Sequence, residues 1–575
     1  MKTTQNYQQN IDLLKQHLKK LDLDYFLLPN SDEFGSEYLP NYAKRLEFIT
    51  GFSGSNAFVI IGQKKSAFFT DGRYTIQAKK EVDSDIFEIF NLADKSPLFW
   101  LLEQEKLLKI GFDSKLHNIN FVMNYEQHFA ENLIALDKNP VDEIWQNQPE
   151  FIKSKIFKHP IKYCGISSQA KISKIIADLD DNIDALIITD PASICWLFNI
   201  RAADIEYSPL LLSYAIIDKN GNSEFFHQNL PKIARSNKKL KIQLDFNQTN
   251  HWLYQILQQQ NIVIANKINP CLVKKAIKNK VEIKNAILAH KMDGLAVTKF
   301  LFWLETSIEQ NHKIDEISAS KKLLEFRKAN KKFFYPSFTT IAGFGSNGAI
   351  IHYHSSPKTN KTIRGNSLFL IDSGGQYLEG TTDITRTIAV GTPSKDMITN
   401  FTRVLKGHIA IARAKFPQGT KGSDLDALAR YHLWQSGLDY EHGTGHGVGS
   451  FSSVHEAPPS ISKRGSGVAL QEGMILSNEP GYYEDGKYGI RIENLMIIEK
   501  VKQTKLQKQS KKQFLQFKTI SLAPIDTRLI DFAMLTYPEK KWLSEYHLKI
   551  HKTLKNELDE KEQNWLKNLI TKQSC

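Results

Sequence analysis

Cysteine is scarce in this chain of 575 residues: Cys164, Cys195, Cys271 and Cys575 are scattered, with neither pairwise nor metal-ligand spacing. That argues against a disulfide framework and fits a reducing compartment. Also missing is any uninterrupted apolar run of about 18 residues, and the opening segment MKTTQNYQQNIDLLKQHLKK has no apolar h-region. Neither membrane spanning nor export is expected, and the chain reads as cytoplasmic. The formal charge of +13 is not gathered into an arginine-rich stripe interleaved with aromatics; the excess is lysine, spread along the chain. Nucleic acid is therefore not an expected partner. The densest cluster, Lys500 to Lys518, lies between the apolar runs Leu495 to Ile498 and Phe514 to Phe517 and reads as a solvated hairpin loop.

What is present suits a large globular protein: 41% hydrophobic residues, 11% aromatic, and helical and strand-like patterns throughout. At this length about three domains are expected. Ile11, Leu14 and Leu18 mark an amphipathic helix, followed by a buried strand Tyr25 to Leu28 and strand-like runs at Ala57 to Ile61 and Ala67 to Thr70. The same grammar returns as a helix Ser167 to Leu179, a strand Ala185 to Thr189, a helix near Ile194, and strands Leu210 to Ile217 and Glu224 to His227. Two related α/β units are implied. Pro140, Pro149 and Pro160 mark the boundary between them. From Glu282 a long helix begins, with Val297, Phe300, Leu301 and Leu304 on one face. The expected division is 1–150, 160–280, 282–510 and 511–575, the last an appended packing element with Trp542, Tyr546, Leu548 and Trp565 in helical surroundings.

The third of these regions carries the chemistry: Asp372 in LFLIDSGG, Asp383 in GTTDITRT, His446 in HGTGHGVG, Glu479 in LSNEPGYY and Glu493 in GIRIENLM. Each stands in or beside an apolar strand-like run, where an ionised carboxylate is costly to bury without a cation or a strong partner. Any one alone reads as a strand-end carboxylate. Four carboxylates and a histidine together suit a pair of divalent ions, which must be both neutralised and bridged. Arg491, two residues before Glu493, would share its face of an extended strand and could orient a ligand carboxylate. The glycines Gly374, Gly375, Gly443, Gly445, Gly447 and Gly449 sit in no phosphate-loop pattern and read as letting backbone approach the metals and substrate.

This ordered set resembles the pita-bread metallopeptidases, a group that includes methionine aminopeptidase, prolidase, creatinase and Xaa-Pro aminopeptidase. HGTGHGVGSFSSVHEAP, with NEPGYY and GIRIEN, resembles the long, three-domain cytosolic Xaa-Pro aminopeptidases in particular. So do ITGFSGSNAFV and TDGRYTIQA, DPASICWLFNIR and SPLLLSYAII, and PIDTRLID with WLSEYH, so the likeness runs nearly end to end. The resemblance implies an α/β (α+β) architecture: two related creatinase-like N-terminal domains, then a pita-bread catalytic domain with a C-terminal extension. It implies that Asp372 chelates one metal, that Asp383 and Glu493 bridge, and that His446 and Glu479 bind the second. Glu479 would also take a proton from the water that the ions acidify. His352 and His455 would lie beside the substrate and donate to the scissile carbonyl as it becomes an oxyanion. His442 is carried as a further helper, with a satisfied loop histidine as its alternative. His354 would point to the opposite face of an extended segment and is left out.

The implied substrates are peptides with proline in second position, whose tertiary amide has no N–H to bond. The ligand set accepts manganese, cobalt or zinc; manganese is named from the resemblance, as is a homodimer. Prolidase, acting on free Xaa-Pro dipeptides, is the alternative enzyme. A non-catalytic pita-bread module that binds peptide is the alternative of another class, and retention of all five ligand types tells against it, as against creatinase.

Overall fold

The computed structural model describes residues 7–104, 108–151, 153–235, 239–260, 262–502 and 512–571. The chain forms two compact units, one of Met1–Lys158 with Ile166–Cys271, the other of His159–Gly165 with Leu272–Cys575. The short stretch His159–Gly165 thus belongs with the second unit although it lies between two segments of the first.

Among the described residues, the two larger sheets of the first unit are built on one plan. In the six-stranded sheet, Tyr25–Pro29 pairs antiparallel with Ala57–Gly62 on one side and parallel with Ile110–Asp113 on the other. In the five-stranded sheet, Ala185–Ile188 likewise has an antiparallel neighbour, Tyr214–Asp218, and a parallel one, Lys241–Leu244. Both central strands are runs of apolar residues because they are covered on both faces. The helix Tyr7–Lys20 buries Ile11, Leu14 and Leu18, the stripe that its period of 3.6 requires. The expected strand from Leu210 starts only at Tyr214: Leu210 to Ser213 are buried but unpaired in any ladder, so apolar content there reflects burial in a loop.

The second unit opens with the helix Lys280–Glu309, capped by the Asn279 side chain and Glu282 in a reciprocal box. Val297, Phe300, Leu301 and Leu304 face a core with Phe369, Ile371 and Ile388. Two sheets then carry the site. One has Ser367–Ser373 between Ile341–Phe344 and Ile384–Val390, all antiparallel. The other runs Lys415–Pro417, Phe514–Thr519, Asn494–Lys500, Ile475–Asn478, Gly445–Gly447, Glu456–Ile461. Asn494–Lys500 and Phe514–Thr519 are antiparallel partners, so they are the arms of the expected lysine-rich hairpin; its tip, 503–511, lies outside the described residues.

The C-terminal helices Tyr537–Leu554 and Glu560–Thr571 bury Leu543, Tyr546, Ile550, Leu554 and Leu566 in a core shared with Phe401, Leu405, Ile490 and Ile492. Leu548, expected among the packing residues, is exposed, because it falls on the outer face of that helix. Among the described residues no helix is long and apolar enough to cross a membrane.

Candidate metal centre

Strand pairing assembles the five expected ligands. Asp372 stands opposite Thr385, and Ser373 opposite Ile384, so Asp383, the residue before Ile384, reaches the same end of the sheet as Asp372. In the larger sheet Gly447 pairs with Leu476 and Asn478 with Asn494, which aligns His446, Glu479 and Glu493 along neighbouring strands. The Glu479 amide donates to the Thr444 carbonyl at 2.8 Å. The Glu493 amide donates to the Thr385 carbonyl at 3.1 Å and so ties the two sheets together at the site. One donor atom from each of Asp383, His446 and Glu493 lies within 4.8 Å of the others. His446 Nε2 is 3.4 Å from Asp383 Oδ2 and 3.5 Å from Glu479 Oε1.

The side chains are oriented from behind. Arg491 Nη2 donates to Asp372 Oδ2 at 2.6 Å, Thr385 Oγ1 donates to Glu493 Oε2 at 2.8 Å, and Ser477 Oγ donates to Glu479 Oε1 at 3.2 Å. His446 Nδ1 lies 2.9 Å from the Gly447 carbonyl, an acceptor only, so Nδ1 carries a proton and Nε2 is the nitrogen that faces the carboxylates. Arg491 therefore serves Asp372, not its near neighbour Glu493. The two do not share one strand, since Arg491 ends Tyr488–Arg491 and Glu493 occupies the joint before Asn494–Lys500.

The carboxylates of the centre crowd one another in a buried place, and the crowding shows in the protonation of Asp372, Glu479 and Glu493. Burial pushes Asp372 up to about 7 against the pull of Arg491, with Asp383 adding to the rise. Glu493 is driven well above the carboxylate range by burial and then by Asp383 and Asp372. Glu479 is raised as well, first by burial. Burial would lower His446, but Asp383 and Glu479 hold it up at about 9. Protons thus stand where cations are wanted. Oδ1 of Asp372 and Oδ1 of Asp383 are moreover buried without a hydrogen-bond partner among the described residues, although a buried oxygen of this kind is costly to leave unmatched. Anionic oxygens, one imidazole nitrogen and two orphaned oxygens fit hard or borderline divalent ions.

Of the expected helpers, His442 and His455 lie beside residues of this centre. His352 is half-buried and follows Ile351, whose carbonyl accepts from Arg491 Nη1 at 3.3 Å. Its segment is a turn after the 3₁₀ helix Gly345–Ala349, not an extended strand, so His354 is set apart by being exposed rather than by strand alternation. The His455 ring lies 4.4 Å from that of His446, nearly perpendicular to it. His442 has Nδ1 at 2.8 Å from the Gly443 carbonyl and Nε2 at 2.9 Å from the Tyr483 hydroxyl, with Glu479 Oε2 4.0 Å from Nδ1. The glycines serve packing of strands more than approach to ligands: a Cβ at Gly445 would stand 2.1 Å from the Ser477 carbonyl oxygen.

Sequence reasoning passed over Thr385, Ser477 and Tyr483, all of which hold site residues. Thr385 could have been suspected, standing two residues after Asp383, the spacing that puts two side chains on one face of an extended segment. It also passed over Lys278, which pairs with buried Glu456 beside His455, with Lys275 3.6 Å from the same carboxylate. Nothing local signals that pair across 178 residues.

Comparison with known proteins agrees with this geometry. Residues 285–500 match Metallopeptidase family M24, 513–572 match the C-terminal region of peptidase M24, and 11–144 and 147–235 each match a creatinase/prolidase N-terminal domain. Xaa-Pro aminopeptidase 1 of Dictyostelium discoideum is 36% identical, the alignment covering 97% of this chain and 96% of that one. The chain belongs to the Xaa-Pro aminopeptidase family. A second relative in that family, the probable Xaa-Pro aminopeptidase P of Coprinopsis cinerea, is 35% identical with 97% of each chain covered. The crystal structure of the Xaa-Pro aminopeptidase of Caenorhabditis elegans, described as a cytosolic enzyme with a di-nuclear active site, matches with a TM-score of 0.91 at 31% identity, over 98% of this chain and 99% of that one. Like the family, the chain is a metallopeptidase with two creatinase-type N-terminal domains ahead of the catalytic domain.

Proposed function

We propose that this enzyme hydrolyses the bond between an N-terminal residue and a following proline in peptides, using two divalent ions, manganese by preference, as a cytosolic homodimer. The observation that carries the reading is the convergence of Asp383, His446 and Glu493, with Asp372 and Glu479 beside them, in a chain related end to end to Xaa-Pro aminopeptidases. Its working parts would be 1–150, 160–280, 282–510 and 511–575. Asp372, Asp383, His446, Glu479 and Glu493 would hold the ions, Asp383 and Glu493 being shared between them. When bound, such ions acidify water and polarise the scissile carbonyl.

The protein's own groups do the rest. Glu479, held by Ser477, accepts the proton of the attacking water and returns it to the departing proline nitrogen. That return is necessary because an amide anion is a poor leaving group. His352 and His455 donate to the carbonyl oxygen as negative charge develops on it. His442, fixed between Gly443 and Tyr483, steadies the side of the site next to Glu479. Arg491 holds Asp372 turned inward and opposes the rise that burial imposes on its carboxyl.

The test is hydrolysis of Arg-Pro-Pro and of free Ala-Pro by metal-stripped protein resupplied with Mn2+, with Asp383→Ala as control. Cleavage of the tripeptide that needs both Mn2+ and Asp383 is expected. Activity confined to the dipeptide would make the enzyme a prolidase, and no cleavage with any divalent ion would favour a peptide-binding module.

A further inference from the structure

Arg386 lies three residues beyond Asp383, fully enclosed. A buried guanidinium normally meets a carboxylate. Among the described residues, this one instead meets carbonyls and neutral side chains. Nη1 donates to the carbonyls of Thr385 at 2.7 Å and Glu493 at 2.6 Å. Nη2 donates to the Ala523 carbonyl at 2.6 Å, to Asn494 Oδ1 at 2.9 Å and to the Tyr546 hydroxyl at 2.9 Å. Nε donates to the Pro524 carbonyl at 3.0 Å. Half of this set of acceptors comes from the backbone and side chains flanking Asp383 and Glu493, and half from the C-terminal region matched separately at 513–572.

The C-terminal half is itself braced. Tyr546 lies 2.9 Å from Asn494 Oδ1 and is stacked on Trp542, with ring centroids 5.2 Å apart and planes 9° apart. His547 Nε2 accepts from the Ile525 amide at 2.9 Å, which holds the 523–525 stretch in place. On the other side, Asn494 Nδ2 donates to His408 Nε2 at 3.0 Å, and His408 Nδ1 donates to the Ile492 carbonyl at 3.1 Å. The backbone on both sides of Glu493 is thus gripped from behind while its carboxylate points into the site. A metal ligand whose peptide can rotate loses the fixed geometry that affinity requires.

We infer that the C-terminal region, through Tyr546 and the Ala523 and Pro524 carbonyls acting on Arg386, positions Glu493 and thereby sets the affinity of the metal centre. Without those acceptors Arg386 would keep buried donors unmatched and would be drawn away from the Glu493 carbonyl. The region is then part of the site's construction as well as of the hydrophobic core. The inference rests on the metal-centre reading given above.

The experiment uses the full chain, stripped of metal and titrated calorimetrically with Mn2+ alone. Tyr546→Phe, which removes one hydroxyl and preserves the ring, should weaken Mn2+ binding by about 10-fold or more. Ile550→Val, on the same helix and buried in the same core, should lower the melting temperature and leave Mn2+ affinity unchanged. Wild-type affinity in Tyr546→Phe overturns the inference. So does equal weakening in both variants, which would reduce the region to a stabilising clamp. A wild-type chain that takes up no Mn2+ would overturn the metal-centre reading along with it.

Discussion

His117 in the N-terminal unit and His446 in the catalytic unit are anchored alike and protonate in opposite senses. In each, Nδ1 faces a backbone carbonyl at 2.9 Å, that of Asp113 or of Gly447. At His117, Nε2 is buried without a hydrogen-bond partner among the described residues, and burial lowers the ring to about 4. At His446, Nε2 faces Asp383 and Glu479, which outweigh burial and hold the ring at about 9. Membership of a unit is not what decides this. His408, in the catalytic unit itself, is lowered to about 3 by burial and by Arg386. The deciding factor is what lies at the free nitrogen: a dry neighbourhood asks for a neutral ring, and a carboxylate cluster asks for a cation.

Four measurements can break or sharpen that contrast. Glu479→Gln removes one carboxylate and the proposed proton acceptor while keeping the shape, and kcat on Arg-Pro-Pro should fall about 1,000-fold; near-normal turnover would mean that Glu479 is only part of the wall. Lys278→Met withdraws the main cation from buried Glu456, and should cost roughly 3 kcal/mol of unfolding free energy in urea. No loss would show that Lys275 alone satisfies the carboxylate.

The third concerns His117 and pH. Its folded pKa is about 4 against 6.5 when unexposed to the fold, so the unfolded chain takes up the proton first as pH falls. The stability that its neutrality contributes is complete above pH 6.5 and drains away down to about 4, amounting to roughly 3 kcal/mol. His117→Gln should flatten the pH dependence of unfolding in that window, and a variant as acid-sensitive as wild type would refute the assignment. Smallest in energy, His352→Ala should lower kcat about 100-fold with little change in KM, as expected for a donor to a developing oxyanion; a rise in KM alone would make it a binding residue.

Much of the site was legible along the chain because charged residues beside apolar strands leave local marks. Asp372 directly follows the apolar run Leu368 to Ile371, and Glu479 stands three residues beyond the run Met474 to Leu476, so a carboxylate lies at or just past the end of each run. The helix Lys280–Glu309 and the first helix were legible for a similar reason, since an amphipathic stripe repeats every 3.6 residues. Apolar runs misled where burial and strand pairing part company, as at Leu210 to Ser213 and at Leu548.

By itself, then, the sequence determined which residue types could bind cations, their order, and the strands and helices that carry them, because those properties depend on side-chain chemistry and on short-range periodicity. Tertiary structure alone decided which of them meet. Register sets Asp372 opposite Thr385 and Asn478 opposite Asn494, Lys278 finds Glu456, and Arg386 binds the C-terminal region to the backbone of Glu493. Such meetings join residues up to 178 positions apart, and their energies arise from burial and from charges brought near one another, neither of which exists until the chain has folded.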